Sequence, residues 1–219
     1  MESHQILFEK TAHYYTVGTA GKHVEHFIIG CHGYGQLAER FVQKFNQLDL
    51  SKTFVLAPEG LSRFYWDNKN NIVGSSWMTR KDRLEEIADY TRFIKKLYDE
   101  YLPEFATNVK ITLFGFSQGC ATQVRWMMRE LPQFDNLILW AGMIPEDLVY
   151  LPHTEYFSKK NLFWVYGTAD EFIKEEYISW HHNFLKEQQL HFETITFEGK
   201  HVVDRPTLKS LIEERITVS

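Results

Sequence analysis

Gly115-Phe116-Ser117-Gln118-Gly119 lies between an apolar run, Val109 to Phe114, and a helix-like stretch, Cys120 to Glu130. A G-x-S-x-G pattern carries chemical meaning only where a strand precedes it and a helix follows, and both flanks are present here. Small residues on either side let the backbone bend steeply, so the serine hydroxyl projects above the end of a sheet. The following helix then points its N-terminus at that hydroxyl. The motif therefore predicts a serine that is exposed, oriented and backed by amide donors.

The rest of the chain supplies the sheet that such a turn needs. Strands are expected at roughly 13–18, 25–31, 53–57, 109–115, 136–141, 161–167 and 190–197, each rich in β-branched or aromatic residues. From the third onward they alternate with helical segments, which implies a largely parallel sheet covered on both faces. Continuous apolar runs such as Leu162 to Tyr166 agree, because a strand buried on both faces loses its polar alternation. Tyr14 to Val17 and His26 to Ile29, joined through Gly18 and Gly21, read as an antiparallel hairpin. The clearest helix spans about 80–102, with Thr79 and Asp82 resembling a capping box and Pro103 ending it. Further helices are expected over 37–47, 118–130, 173–188 and 206–216, the last capped by Asp204 with Pro206 in its first turn. Pro58 to Thr79 reads as a non-regular segment leaving the carboxyl edge of the sheet, where open α/β sheets bind ligands. Its Phe64, Trp66, Trp77 and Met78 are candidate walls of a substrate pocket, the competing reading being that they pack beneath the loop.

Length and charge narrow the classes. A chain of 219 residues suits one sizeable domain over 1–219, with no second large module and no large lid domain. A net charge of -5, with no Lys/Arg run longer than two, argues against nucleic acid as a partner. Met1 to Lys10 has no signal-peptide pattern and no apolar stretch approaches bilayer length, so a cytoplasmic protein without integral membrane association is expected. Two cysteines, Cys31 and Cys120, make neither a disulfide framework nor a zinc spacing; they read as small buried packing residues rather than nucleophiles.

A serine hydroxyl needs a base to take its proton and a carboxylate to orient that base. Asp170 ends Gly167-Thr168-Ala169-Asp170 directly after an apolar strand, and His201 sits in Glu198-Gly199-Lys200-His201 after the last strand, giving the chain order Ser, acid, His. Asp170 has a rival reading as the cap of the next helix, and His201 as one of ten ordinary histidines. Of the others, His181 and His182 fall inside a helix, His191 opens a strand and His153 precedes the acid, so none matches order and loop position as His201 does. Donors for a developing oxyanion are available from the backbone N–H of Gln118 and of Tyr34, the latter in the glycine turn Cys31-His32-Gly33-Tyr34-Gly35. His32 itself reads as a residue that stabilises this turn. No ligand cluster calls for a metal, and no cofactor is expected.

On these residues the chain resembles the α/β-hydrolase superfamily, and within it the small carboxylesterase/phospholipase group that includes acyl-protein thioesterases and lysophospholipases. The resemblance runs through His32-Gly33-Tyr34-Gly35, Ala57-Pro58-Glu59-Gly60, the Gly115-to-Gly119 turn, Asp170 and His201. It implies an α/β-hydrolase fold, a Ser117/Asp170/His201 triad, a Tyr34/Gln118 oxyanion pair and hydrolysis of a small-molecule ester or acyl substrate. It departs at Gln36, where the family usually carries an acidic residue, and after Pro58, where no copy of the usual family loop is recognisable. An esterase is the leading expectation, an acyl thioesterase or lysophospholipase the nearest alternative, and a non-catalytic binding protein of the same fold the rival of another class.

Overall fold

The central strands are apolar on both sides because both sides are covered. A computed structural model describes residues 1–216. In chain order its elements are β1 (Tyr14–Val17), β2 (His26–Cys31), α1 (Ala38–Val42), β3 (Thr53–Pro58), β4 (Ser62–Asp67), β5 (Ile72–Ser76), α2 (Arg83–Tyr101), β6 (Lys110–Phe116), α3 (Gln118–Glu130), β7 (Asn136–Trp140), α4 (Thr154–Phe157), β8 (Asn161–Gly167), α5 (Glu175–Glu187), β9 (Glu193–Phe197) and α6 (Arg205–Ser210), which continues as a π-helical turn over Leu211–Ile216. Seven strands form one sheet in the order β1-β3-β2-β6-β7-β8-β9, parallel except for β1. Successive strand residues feed opposite cores. Leu113, Leu139 and Trp164 join the cluster under α2, α3 and α5, while Phe114, Ile138 and Val165 join the one under α1 and α6. This is the mostly parallel, doubly covered sheet expected from the sequence, with the ends of β2, β6, β8 and β9 along one carboxyl edge.

Three local expectations are corrected. β1 and β2 do not form a hairpin: β1 pairs antiparallel with β3, from Tyr14 opposite Pro58 to Val17 opposite Val55, and β2 lies parallel between β3 and β6. All six residues of β2 are buried, so it needs a neighbour on each side, whereas the partly exposed β1 can serve as an edge. Pro58 to Thr79 is not irregular. It contains the antiparallel pair β4 and β5, with Phe64 opposite Gly74 and a register shift between Tyr65 and Asp67. Asp67 closes the turn by accepting the backbone N–H groups of Lys69 and Asn70. Finally, Thr79 and Asp82 form no capping box. Asp82 has φ 51° and makes no side-chain cap bond, and the Glu86 carboxylate instead accepts the Thr79 N–H at 2.6 Å. At the other end of the chain Asp204 does cap α6, accepting the Thr207 N–H at 3.0 Å with Pro206 in the first turn. Among the described residues no helix is long and apolar enough to cross a membrane.

Candidate active site

Ser117 sits on the sharp corner between β6 and α3, with φ 54° and ψ -119°, a conformation that is costly for a residue with a side chain. The glycines two residues to either side have no room for a side chain. A Cβ on Gly115 would lie 2.5 Å from Cys120 Cα, and one on Gly119 would lie 2.1 Å from the Cys31 carbonyl oxygen. The motif thus packs β6, the start of α3 and the end of β2 against one another and leaves the serine at the sheet's edge. Its own N–H is engaged with the Trp140 carbonyl at 2.8 Å, which pins the corner to β7.

The loops after β8 and β9 bring Asp170 and His201 to this corner. Ser117 Oγ lies 3.0 Å from His201 Nε2, and His201 Nδ1 lies 2.8 Å from Asp170 Oδ2. A carboxylate at Nδ1 holds the ring proton there, which leaves Nε2 as the acceptor for the serine hydroxyl. The Asp170 side chain is fully buried and that of His201 is 17% exposed. Asp170 Oδ1 accepts the Phe172 N–H at 2.9 Å, a turn contact rather than a helix cap, since α5 begins only at Glu175 after Lys174. The His201 ring packs between Phe116, 5.0 Å away, and Phe172, 4.7 Å away. Phe172 carried no sequence signal, because an exposed aromatic two residues beyond an acid gives no hint of where it folds back. His181, by contrast, is buried on α5 against Trp164, and burial together with the neighbouring His182 lowers its pKa to about 3.

Around Tyr34 nearly every amide is occupied. The Gln36 side chain accepts the Gly33 N–H at 3.0 Å, Gly35 N–H donates to Ser75, and Gln36 N–H donates to Gly33. Among the described residues the Tyr34 and Gln118 N–H groups donate to no protein acceptor. Gln36, the point of departure from the family pattern, is therefore part of what shapes the turn. His32 is buried beneath it, with Nδ1 2.8 Å from the Gly33 carbonyl and Nε2 accepting the Gly60 N–H at 3.0 Å. That pattern requires a neutral ring protonated at Nδ1, and burial lowers the His32 pKa to about 4. Glu59 ties the same region together, accepting the Ala38 N–H and pairing with Arg63. The Gln118 side chain was not anticipated: it accepts the Trp77 N–H and donates to the Met78 carbonyl, fastening the segment after β5 to the serine corner. Burial raises the pKa of both cysteine thiols, and among the described residues no group of three or more His, Cys, Asp or Glu gathers as metal ligands.

The four aromatic and thioether candidates of the 58–79 segment separate. Phe64 and Trp66, on β4, meet Tyr34 in a surface cluster, Phe64 stacked at 5.2 Å and Trp66 edge-on at 5.7 Å between ring centroids, and Trp66 remains 56% exposed. Trp77 is only 1% exposed, packs on His32 and Tyr90, and donates its Nε1–H to the His32 carbonyl at 2.8 Å. Met78 is partly buried against the same core. A cavity of about 760 Å³ opens beside Ser117, and none of the four lines it; its walls come from α3, α5, the N-terminus of α2 and the 143–147 segment. Trp77→Ala is accordingly expected to lower stability by about 3–5 kcal/mol, as truncation of a buried aromatic does. Trp66→Ala is expected to shift it by well under half that. Denaturant melts of the two variants check this, and equal losses would contradict the placement of Trp77 as packing.

In the cavity Arg83 and Arg125 both pair with Asp147, the Arg125 contact measuring 2.8 Å. Partial burial pushes the Asp147 carboxyl up, but its hydrogen bond to Arg125 and the charges of both guanidiniums outweigh that and hold it below its ordinary value. These residues lie on three separate elements, and nothing in their spacing announces the cluster.

Solved structures share this fold. The structure matches maize (Zea mays) acyl-protein thioesterase 2 with a TM-score of 0.69 at 16% identity, covering 93% of this chain and 97% of that one. It matches a phospholipase/carboxylesterase from Dyadobacter fermentans with a TM-score of 0.66 at 15% identity, covering 96% and 98%, and a Bacillus cereus carboxylesterase with a TM-score of 0.66 at 14% identity, covering 93% and 92%. At such identities the likeness establishes the α/β-hydrolase fold alone. No curated protein sequence matches the chain. A family model does, over residues 12–215, and by that match the chain belongs to the phospholipase/carboxylesterase family.

Proposed function

We propose that the protein is a serine hydrolase that cleaves a small-molecule carboxylic ester through an acyl-enzyme on Ser117. The observation that carries this reading is the unbroken chain from Ser117 Oγ to His201 Nε2 and from His201 Nδ1 to Asp170 Oδ2, at 3.0 and 2.8 Å. As Oγ attacks the ester carbonyl, Nε2 takes its proton, and the buried Asp170 stabilises the imidazolium that forms. The carbonyl oxygen becomes an oxyanion within reach of the Tyr34 and Gln118 N–H groups, which have no protein acceptor to compete for them among the described residues. Each such donor stabilises the transition state by about 3–4 kcal/mol. His201 then returns the proton to the leaving alcohol, and a water activated by the same nitrogen releases the acid. Thioesters suit the same machinery, as the name of the maize structural neighbour illustrates.

A fluorophosphonate probe tests the assignment directly. One probe per chain is expected, mapped to the peptide containing Ser117, with p-nitrophenyl butyrate hydrolysis lost in proportion. Full labelling elsewhere, or turnover that survives complete labelling of Ser117, would refute it.

A further inference from the structure

The cavity beside Ser117 is built for a particular acyl group. Ala121 and Arg125 are spaced four apart and so lie along one stripe of α3, which starts directly after Ser117, and the small Ala121 leaves space between the hydroxyl and the guanidinium. From Gln118 to Arg125 the helix rises about 10 Å, and a helical side chain leans toward the N-terminus, so a chain of a few carbons spans from Oγ to Arg125. Met143, Ile144 and Trp180 give that path apolar walls. His201 does not line the cavity. Because the leaving alcohol must receive its proton from His201, it lies on the imidazole side, and the cavity is left to the acyl arm.

The far end of this path is short of acceptors. Arg83 and Arg125 share the single carboxylate of Asp147, Arg125 otherwise donating weakly to the Met78 sulfur at 3.8 Å, and the Nε of each arginine is buried without a hydrogen-bond partner. The Arg125 side chain is only 11% exposed. Glu146 and Glu176 also line the cavity, but both are exposed, and among the described residues neither pairs with an arginine. A neutral alkyl arm reaching this end would set hydrocarbon against two guanidiniums, whereas a carboxylate would meet two planar donor forks.

We infer that the acyl arm ends in a carboxylate, so that the substrate is an ω-carboxyacyl ester, a half-ester of a short dicarboxylic acid, whose free carboxylate is bound by Arg125 with Arg83 beside it. The inference rests on Ser117 being the nucleophile and adds no bond-making step to the acyl transfer already described.

The test compares mono-p-nitrophenyl adipate with p-nitrophenyl hexanoate, and mono-p-nitrophenyl glutarate with p-nitrophenyl pentanoate, on the wild-type protein, Arg125→Gln and Arg83→Gln. The wild type is expected to favour the carboxylate-tipped ester in kcat/KM by about tenfold or more. Arg125→Gln should reduce that ratio by about ten- to a hundredfold, the value of a hydrogen bond to a charged group. Arg83→Gln, on a more exposed side chain, should reduce it less and keeps the comparison available should Arg125→Gln fail to fold. Calorimetric titration of adipate into Ser117→Ala, and into Ser117→Ala/Arg125→Gln, gives a readout free of turnover; the second is expected to bind at least tenfold more weakly. Equal hydrolysis of charged and neutral esters, with a ratio unmoved in both arginine variants, overturns the inference and leaves the serine-hydrolase reading standing. No hydrolysis of any ester overturns that reading instead, while adipate binding that depends on Arg125 would still support the carboxylate site.

Discussion

Replacing Ser117 by alanine is expected to lower kcat for an aryl ester by about 10⁴- to 10⁶-fold while the protein keeps its fold. The substitution removes one hydroxyl and nothing that holds the corner. Its φ of 54° is imposed by the close approach of Gly115 and Gly119 to α3 and β2 and by the Ser117 N–H bond to Trp140, all of which alanine retains. The residual rate would come from an oxyanion site and substrate binding without a nucleophile. Steady-state kinetics on purified variant, together with a thermal melt close to that of the wild type, decide the matter. Turnover above a tenth of normal, with contaminating esterase excluded, would sink the assignment.

Asp170→Asn is expected to lower kcat by about 10⁴-fold, because an amide at this position can donate to Nδ1 and so stabilise the tautomer with its proton on Nε2, the nitrogen that must accept from Ser117. His201→Ala should lose a comparable factor, since no other histidine lies within hydrogen-bond distance of Oγ among the described residues. Asp170→Asn combined with His201→Ala should be little worse than either alone, as expected of groups acting as a unit. His182→Ala, on the exposed side of α5, is the control and should retain normal turnover. Multiplicative losses in the double variant would show that Asp170 and His201 act separately and would break the proposed relay.

The serine, acid and histidine of the candidate site were legible because each is a local event. A glycine-flanked serine between strand and helix, an Asp one loop beyond an apolar strand, and a His after a glycine turn each declare their position from a few neighbouring residues. Chain order then joins them, since parallel strands deliver their following loops to one edge. The same logic located the Tyr34 turn and the cap at Asp204. Its failures share a different cause. Pairing β1 with β2 followed from proximity in sequence, but β2 is buried on both faces and claims β3 and β6 as neighbours, which leaves β1 to close the edge on β3. The 58–79 segment reads as non-regular, although Phe64-Tyr65-Trp66 before an Asp-Asn-rich turn is also a hairpin pattern, and that is what folds.

By itself, then, the sequence determined the strand-and-helix alternation, the mostly parallel sheet, and the serine, acid and histidine brought to one edge of it. These are properties of short segments and of their order. Tertiary structure alone decided which strands are neighbours, that Trp77 serves the core while Trp66 faces solvent, that Gln36 and the Gln118 side chain hold the loops around the serine, and that Arg83, Arg125 and Asp147 meet at the end of the cavity. Those outcomes depend on how α2, α3 and the segment after β7 pack together. A charge cluster assembled from three distant segments leaves no spacing to read, because its residues are brought together by burial of the apolar faces beneath them rather than by any pattern of their own.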